Sequence, residues 1–185
     1  MAILQNFIRG PNLLTLFRIA AVPIIIILML FPNRICVFLA ALVFSAAAIT
    51  DYLDGFYARK RNMVTTLGKV MDPVADKLLV SSAFIMLAAL HWVPAWMVCI
   101  IIGRELAVTG LRNIIAGKGE DLSASNLGKF KTGFQIAAII PLMIHYPFLG
   151  LNVQAIGNLF LWGALVFTIW SGADYFMRSS SLMQD

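Results

Sequence analysis

Residues 51–76 read DYLDGFYARKRNMVTTLGKVMDPVAD, and they hold four of the nine acidic residues of the chain. Asp51, Asp54, Asp72 and Asp76 occur in a sequence of 185 residues that is 61% hydrophobic and only 12% charged. Each ionised carboxylate inside a bilayer costs about 2.5–3.5 kcal/mol, even on lenient insertion scales. A cluster of four therefore predicts a compensating cation and a functional site at these residues.

The composition around this cluster is typical of an integral membrane protein, with a mean hydropathy of +0.87. Six apolar segments divide the chain, each near the ~20 residues that cross about 30 Å of hydrocarbon as a helix. They are Pro11–Phe31, Val37–Tyr57, Gly68–Leu90, Trp92–Ile114, Leu127–Tyr146 and Val153–Phe176. We predict an all-α, polytopic membrane protein of six transmembrane helices, with one domain over residues 1–185.

The ends and charges of the chain predict how these helices are oriented. Met1–Gly10 is expected to form a short interfacial helix, because its apolar side chains can share one face. With six spans, Arg34 is the only one of the fourteen Lys and Arg residues on the far side. The positive-inside rule then predicts that both termini and the aspartates are cytoplasmic.

The spacing of the aspartates places them on one face of each of two helices. Asp51 and Asp54 are three residues apart near the end of the second segment, and Asp72 and Asp76 are four apart in the third. Pro73 leaves the start of the third helix open, because Asp72 can cap a helix there or the helix can begin near Thr66. Two facing carboxylate pairs predict a site for a hard divalent cation.

The residues between the aspartates suggest how a phosphorylated ligand approaches such a metal. Oxygen ligands favour Mg²⁺ or Mn²⁺, as one or two ions, and the absence of nearby Cys or His argues against zinc. Gly55 and Ala58 continue the stripe of Asp51 and Asp54 and leave space beside the carboxylates. Arg59, at the mouth of the site, can bridge phosphate oxygens.

Basic residues interrupt the fourth apolar segment. Arg104 and Arg112 are eight residues apart, about two helical turns, and so lie on nearly the same helix face. An Arg at depth needs a water-filled cavity, an anion or an acidic partner, for which Glu105 and Asp174 are candidates. An anion site fits these two arginines at least as well as an acidic partner does.

The aspartate motif resembles that of a known family. The pattern D-x2-D-G-x2-A-R-x8-G-x3-D-x3-D of the CDP-alcohol phosphatidyltransferases matches at every fixed position from Asp51 to Asp76. The segments beginning at Pro11, Gly103 and Gly128 extend the resemblance to most of the chain, towards the bacterial members that use sn-glycerol 3-phosphate. Eight fixed residues make this a specific match.

The resemblance implies transfer of a phosphatidyl group from CDP-diacylglycerol to sn-glycerol 3-phosphate, with release of CMP. It further implies a homodimer in the bacterial inner membrane, with membrane lipids and no nucleic acid as partners. Asp51, Asp54 and Asp72 would be metal ligands, and Asp76 would be the general base and possible fourth ligand. The residues implied to line the CDP part are Gly55, Ala58, Arg59 and Gly68.

The acceptor is less firmly indicated than the chemistry. Glycerol 3-phosphate is a dianion, and Arg104 and Arg112, with Lys129 and Lys131 at the cytoplasmic rim, supply cations for its phosphate. Inositol phosphate is also anionic, and serine or phosphatidylglycerol are the other acceptors of the family. The basic residues suit either phosphorylated acceptor, so the choice of glycerol 3-phosphate rests mainly on the resemblance of the sequence.

A divalent-metal transporter is the alternative outside this class, because intramembrane carboxylates often mark ion paths. A path needs polar groups at several depths, and the far half of every segment is nearly free of them. His91 and His145, the two histidines, are predicted at the far ends of their helices, away from the aspartates. They are expected to be interfacial residues.

Overall fold

The computed structural model describes the backbone of residues 10–61, 66–117, 126–147, 150 and 152–182. Side chains are described over the same ranges apart from residues 10–14, 51–61, 66–70, 72, 126–127 and 180–182. The described residues form helices joined by short connections, without a strand, which confirms the all-α prediction. The helices are α1 Gly10–Leu30, α2 Arg34–Arg61, α3 Thr66–Ala89, α4 Ala95–Gly117, α5 Asn126–Ile144 and α6 Val153–Leu182. The interfacial helix predicted over Met1–Gly10 lies almost wholly outside these residues.

Each predicted apolar segment corresponds to one helix, but several helices extend beyond the apolar sequence. Helix α2 continues through the aspartate motif to Arg61, and α6 continues to Leu182. Of the two possible starts for α3, the structure has the earlier one, at Thr66, with Pro73 inside the helix. Polar residues at these ends are therefore helical, because backbone hydrogen bonding does not depend on side-chain polarity.

Local side-chain and backbone bonds define where several helices begin and end. The Asn33 Oδ1 atom accepts hydrogen bonds from the backbone N–H groups of Ile35 and Cys36, at 3.1 and 2.9 Å, and so caps α2. Asn152 caps α6 in the same way. Helix α3 is terminated just after Ala89 by His91, whose φ of 58° is left-handed, and the backbone N–H of Trp92 donates back to the Leu87 carbonyl.

The connections α1–α2, α3–α4 and α5–α6 meet at one end of the bundle. The Tyr146 hydroxyl donates to the Pro32 carbonyl at 2.9 Å, and the rings of Trp92 and His145 stack at 3.9 Å. His145, like His91, has a left-handed φ and follows the last turn of its helix. His91 therefore follows α3 and His145 follows α5, at the end of the bundle opposite the aspartate motif, as predicted. Each histidine terminates its helix.

Small side chains allow the closest helix packing in the bundle, between α5 and α6. A Cβ added at Gly157 would lie 2.6 Å from Leu142 Cγ and 3.1 Å from the Leu142 backbone nitrogen. One added at Gly163 would lie 2.6 Å from the Phe134 ring. Helix α1 packs against both α2 and α3, which contact each other much less.

The outer surface of the bundle is rich in large apolar side chains. Ile35 and Leu159 are each 72% exposed, and Trp170 is 58% exposed. Soluble monomers rarely expose contiguous apolar surface on this scale, so the surface is compatible with a lipid environment. By length and composition, one helix among the described residues, Val153–Ser179, can cross a membrane, while Thr15–Leu30 and Arg34–Thr50 are shorter apolar helices.

We expect Gly157→Ala to destabilise the bundle, because the new methyl group overlaps Leu142 and overpacking of this kind costs about 1–3 kcal/mol. The matched control is Gly110→Ala, whose added Cβ meets nothing within 4 Å. There the substitution should gain up to roughly 1 kcal/mol of helix propensity. Thermal unfolding in detergent should give a lower melting temperature for Gly157→Ala than for Gly110→Ala, and the reverse order would contradict the packing described.

Candidate functional site

A cavity of about 600 Å³ opens between the helices at the end of the bundle away from the histidines; we call it the large cavity. Among its described lining residues, five are cationic and one is acidic. The cationic ones are Lys77, Arg104, Arg112, Lys129 and Lys131, and the acidic one is Glu105. The four basic residues predicted to bind an acceptor phosphate thus line one cavity, which the sequence could only suggest for Arg104 and Arg112.

Arg104 is held on the α6 side of this cavity by two polar contacts. Its Nη2 donates to the Ser171 hydroxyl at 3.0 Å, and its Nη1 donates to Glu105 Oε1 at 3.3 Å. Gly172 allows this approach, because an added Cβ there would lie 3.2 Å from Arg104 Cγ. Of the two acidic partners considered for the arginines, Glu105 is the one used, while Asp174 accepts from Arg178 at 3.0 Å.

Lys131 is not at the rim, which corrects the prediction made for it. The residue is only 5% exposed, and its Nζ, on α5, donates to Glu105 Oε1, on α4. Lys129, two residues earlier, is exposed as predicted. Residues two apart on a helix point to different sides, so only one of the two lysines can face solvent here.

Arg112 faces solvent and is oriented by an aromatic residue of α6. Its Nε donates to the Tyr175 hydroxyl at 3.3 Å, and its Cζ lies 5.8 Å from the centre of the Tyr175 ring. Tyr175 is only 4% exposed and lines the large cavity. The guanidinium is therefore held in place while its remaining N–H groups stay available for an anion.

A second, smaller cavity of about 20 Å³ adjoins the first; we call it the small cavity. It is lined by Asp76, which is half-buried, and by Gln135, which is 2% exposed. Lys77, Glu105, Lys131 and Thr132 line both cavities. The position predicted for the general base is thus beside the cationic cavity.

The rest of the aspartate motif can be placed only by its backbone. Asp51, Asp54, Gly55, Ala58 and Arg59 are in the last half of α2, and Gly68 and Asp72 are in the first two turns of α3. Their side chains lie outside the described part of the structure. The predicted metal ligands and CDP-binding residues, apart from Asp76, therefore stay predictions.

Sequence reasoning missed several polar residues of the site. Lys77 donates to the Thr109 hydroxyl, which itself donates to the Glu105 carbonyl at 2.6 Å. A charged residue inside an apolar segment was a usable signal for Lys77. Nothing comparable singled out Tyr175, Ser171 or Gln135.

The donor set of the motif fits a hard divalent cation, because all four candidate ligands are carboxylates. Asp76 is positioned for this, since it is half-buried beside a polar cavity. Among the residues whose side chains are described, no group of three His, Cys, Asp or Glu side chains is close enough to hold a metal. A site with three such ligands would therefore have to use side chains outside the described ones, for which the other motif aspartates are the predicted candidates.

An all-helical fold with a cationic cavity next to an acidic motif is compatible with a protein that binds phosphorylated ligands. The profile of the family described as CDP-alcohol phosphatidyltransferase matches residues 9–170. This chain belongs to the CDP-alcohol phosphatidyltransferase family. The resemblance noted from the motif is thereby confirmed, and the protein is an enzyme of that transferase class.

Relatives agree over nearly the whole chain. A Bacillus subtilis protein named CDP-diacylglycerol--glycerol-3-phosphate 3-phosphatidyltransferase is 46% identical, over 91% of this chain and 94% of its own length. A Rickettsia bellii protein with the same name is 40% identical, over 90% of this chain and 92% of its own length. A Shigella flexneri serotype 5b protein with the same name is 35% identical, over 95% of this chain and 97% of its own length.

The pair between Glu105 and Lys131 should be strongly coupled in stability. Glu105→Leu leaves a buried ammonium without its partner, which costs about 3–5 kcal/mol for buried pairs. Lys131→Met should also lower the free energy of unfolding, but the double variant should lose less of it than the sum of the losses in the two single variants.

Arg178→Gln, which removes an exposed ion pair, is the control and should lower the free energy of unfolding by at most about 1 kcal/mol. Unfolding in detergent measures all four, and additive losses would show that the pair does not couple.

Proposed function

We propose that this protein transfers the phosphatidyl group of CDP-diacylglycerol to sn-glycerol 3-phosphate, giving phosphatidylglycerol phosphate and CMP. The observation that carries the proposal is the large cavity, whose described lining has five cations against one carboxylate, directly beside Asp76. A phosphorylated acceptor needs such a positive cavity next to the base that activates it. The names of the relatives support the same substrates.

Within the cavity, Arg112 and Lys129 are the cations best suited to hold the acceptor phosphate. Both are exposed, and the Arg112 guanidinium is already oriented by Tyr175. Arg104 and Lys131 add positive charge from deeper positions but share the Glu105 carboxylate. An acceptor without net charge, such as serine, would leave most of these cationic side chains without an anionic partner.

For the chemistry, Asp76 takes the proton of the acceptor C1 hydroxyl as its oxygen attacks the phosphatidyl phosphorus. The phosphorus–oxygen bond to CMP breaks as the new bond forms. A Mg²⁺ or Mn²⁺ centre, held by Asp51, Asp54, Asp72 and Asp76, would supply neutralisation of the diphosphate charge. Gly55, Ala58, Arg59 and Gly68 are proposed to bind the CDP part.

The surroundings of the site extend the proposal to location and assembly. Six helices with an apolar outer surface fit six spans in a bacterial inner membrane, with the cavity and both termini on the cytoplasmic side. A membrane position would give the site direct access to a lipid substrate. A homodimer stays a prediction, which light scattering of the detergent-solubilised protein tests.

A purified-protein assay tests the function as a whole. CDP-diacylglycerol is supplied with glycerol 3-phosphate, inositol phosphate, serine or phosphatidylglycerol, and CMP release is followed with and without a chelator. Release should require glycerol 3-phosphate and should stop with the chelator. Release with another acceptor in its place would overturn the substrate assignment, and release unaffected by the chelator would overturn the metal requirement.

The motif aspartates should separate into ligands and base. Alanine at Asp51, Asp54, Asp72 or Asp76 should lower the turnover rate by roughly two to four powers of ten. Asp76→Asn should stop turnover while largely preserving CDP-diacylglycerol binding, because it removes the proton acceptor and keeps the shape. Asp174→Asn makes the same change of charge away from both cavities and is the control. Near-normal turnover of Asp76→Asn would refute the base assignment.

Binding of the acceptor phosphate should depend on Arg112. Arg112→Gln is expected to raise the half-saturating glycerol 3-phosphate concentration at least tenfold, about 1.4 kcal/mol, with little effect on that of CDP-diacylglycerol. Tyr175→Phe should raise it about two- to fivefold, because it removes one hydrogen bond that orients the guanidinium. Arg178→Gln, outside the cavity, should not change it. An effect of Arg112→Gln on the lipid substrate alone would assign this cation to the diphosphate.

The proposed orientation is testable by cysteine labelling. In a background with Cys36 and Cys99 replaced by alanine, a cysteine at Asn62 should react from the cytoplasmic face only. A cysteine at Pro147, in the exposed α5–α6 connection, should react from the opposite face. Labelling of both from one face would contradict the six-span arrangement.

A further inference from the structure

Gln135 is a buried polar side chain that the mechanism above does not use. The residue is 2% exposed, and its Nε2 atom has no hydrogen-bond partner in the part of the chain that the structure describes. A buried donor without a partner costs about 1–3 kcal/mol, so its retention in a packed helix points to a ligand. Gln135 is one of the residues that line the small cavity, together with Asp76 and Glu105.

The small cavity has the size of a single hydroxyl group. Its volume of about 20 Å³ exceeds only slightly the 10–15 Å³ that one water molecule requires. A hydroxyl both donates and accepts, so it needs an acceptor and a donor from the protein. The Glu105 carboxylate supplies the acceptor, and the Gln135 amide supplies the donor.

Glu105 is suited to this role by the way its carboxylate is held. Both of its ion pairs, with Arg104 and Lys131, use the Oε1 atom. Among the described residues, no group donates to Oε2, and Glu105 lines both cavities. A carboxylate weakens the binding of a phosphate dianion, so its presence in this cavity suits a different group of the ligand.

We propose that Glu105 and Gln135 bind the C2 hydroxyl of the acceptor and so select for a vicinal hydroxyl. The inference rests on the proposed function. In glycerol 3-phosphate the C2 hydroxyl lies between the attacking C1 hydroxyl and the phosphate. In the protein, Asp76 lines the small cavity, Arg112 and Lys129 line the large one, and Glu105 lines both. A carboxylate shared by the two cavities suits the hydroxyl between the reacting group and the phosphate.

The test compares glycerol 3-phosphate with 3-hydroxypropyl phosphate, which has the attacking hydroxyl and the phosphate but lacks the C2 hydroxyl. The parent enzyme should prefer glycerol 3-phosphate at least tenfold in kcat/KM. Gln135→Met should reduce this preference about threefold to tenfold, by lowering kcat/KM for glycerol 3-phosphate only. Glu105→Gln should reduce it at least as much, because a hydrogen bond to a charged acceptor is stronger.

Gln154→Met, the same substitution in the first turn of α6 and outside both cavities, is the control and should leave the preference unchanged. Melting temperatures of all variants show that they are folded. Equal losses for both acceptors, or an unchanged preference in both variants, would overturn the C2 assignment and leave the transferase intact. A parent enzyme that ignores glycerol 3-phosphate would overturn the proposed function, and the C2 assignment with it.

Discussion

The Glu105 carboxylate is the contact on which the polar end of this bundle depends. Its Oε1 atom forms ion pairs with both Arg104, on its own helix, and Lys131, on α5. Lys131 is 5% exposed, and an ammonium at such burial must be paired because desolvation of an isolated charge costs several kcal/mol. This ion pair links α4 to α5, and the hydrogen bond from Lys77 to Thr109 links α3 to α4.

Around that contact, the two ends of the bundle differ in how their polar groups are satisfied. At the histidine end, hydrogen bonds and ring stacking stay within the protein, as between Tyr146 and Pro32 or Trp92 and His145. At the other end, the cations outnumber their acidic partners among the described residues and border a cavity. Unpaired cations beside a cavity indicate a ligand-binding role, whereas polar groups that are paired within the protein indicate a structural role.

Membership of the CDP-alcohol phosphatidyltransferase family gives this asymmetry a purpose. A phosphatidyl transfer brings together a diphosphate and, in the proposed reaction, a phosphorylated acceptor, so repulsion between anions opposes the approach of the substrates. In the proposed mechanism, the motif aspartates would hold a cation that neutralises the diphosphate, and the arginines and lysines of α4 and α5 would bind the acceptor. Two sets of charges on different helices would then serve the two substrates separately.

Much of this protein follows from local sequence. The six helices were predictable because each apolar segment is long enough to satisfy its own backbone hydrogen bonds. The shared face of Arg104 and Arg112 follows from helical spacing alone, and the eight fixed residues of the aspartate motif indicated the family. The continuation of α3 through Pro73 was one of two options that the sequence left open, because a proline suits either a first turn or a helix interior with a lost hydrogen bond.

What only the tertiary structure decided are the contacts between helices. The burial of Lys131 against Glu105, the bond from Arg112 to Tyr175 across 63 positions, and the Gln135 amide at the small cavity could not be derived from periodicity. Periodicity tells which residues share a face but not which helix covers that face. The covering helix depends on close packing, such as that of Gly157 against Leu142, and packing is a property of surfaces brought together by the whole chain.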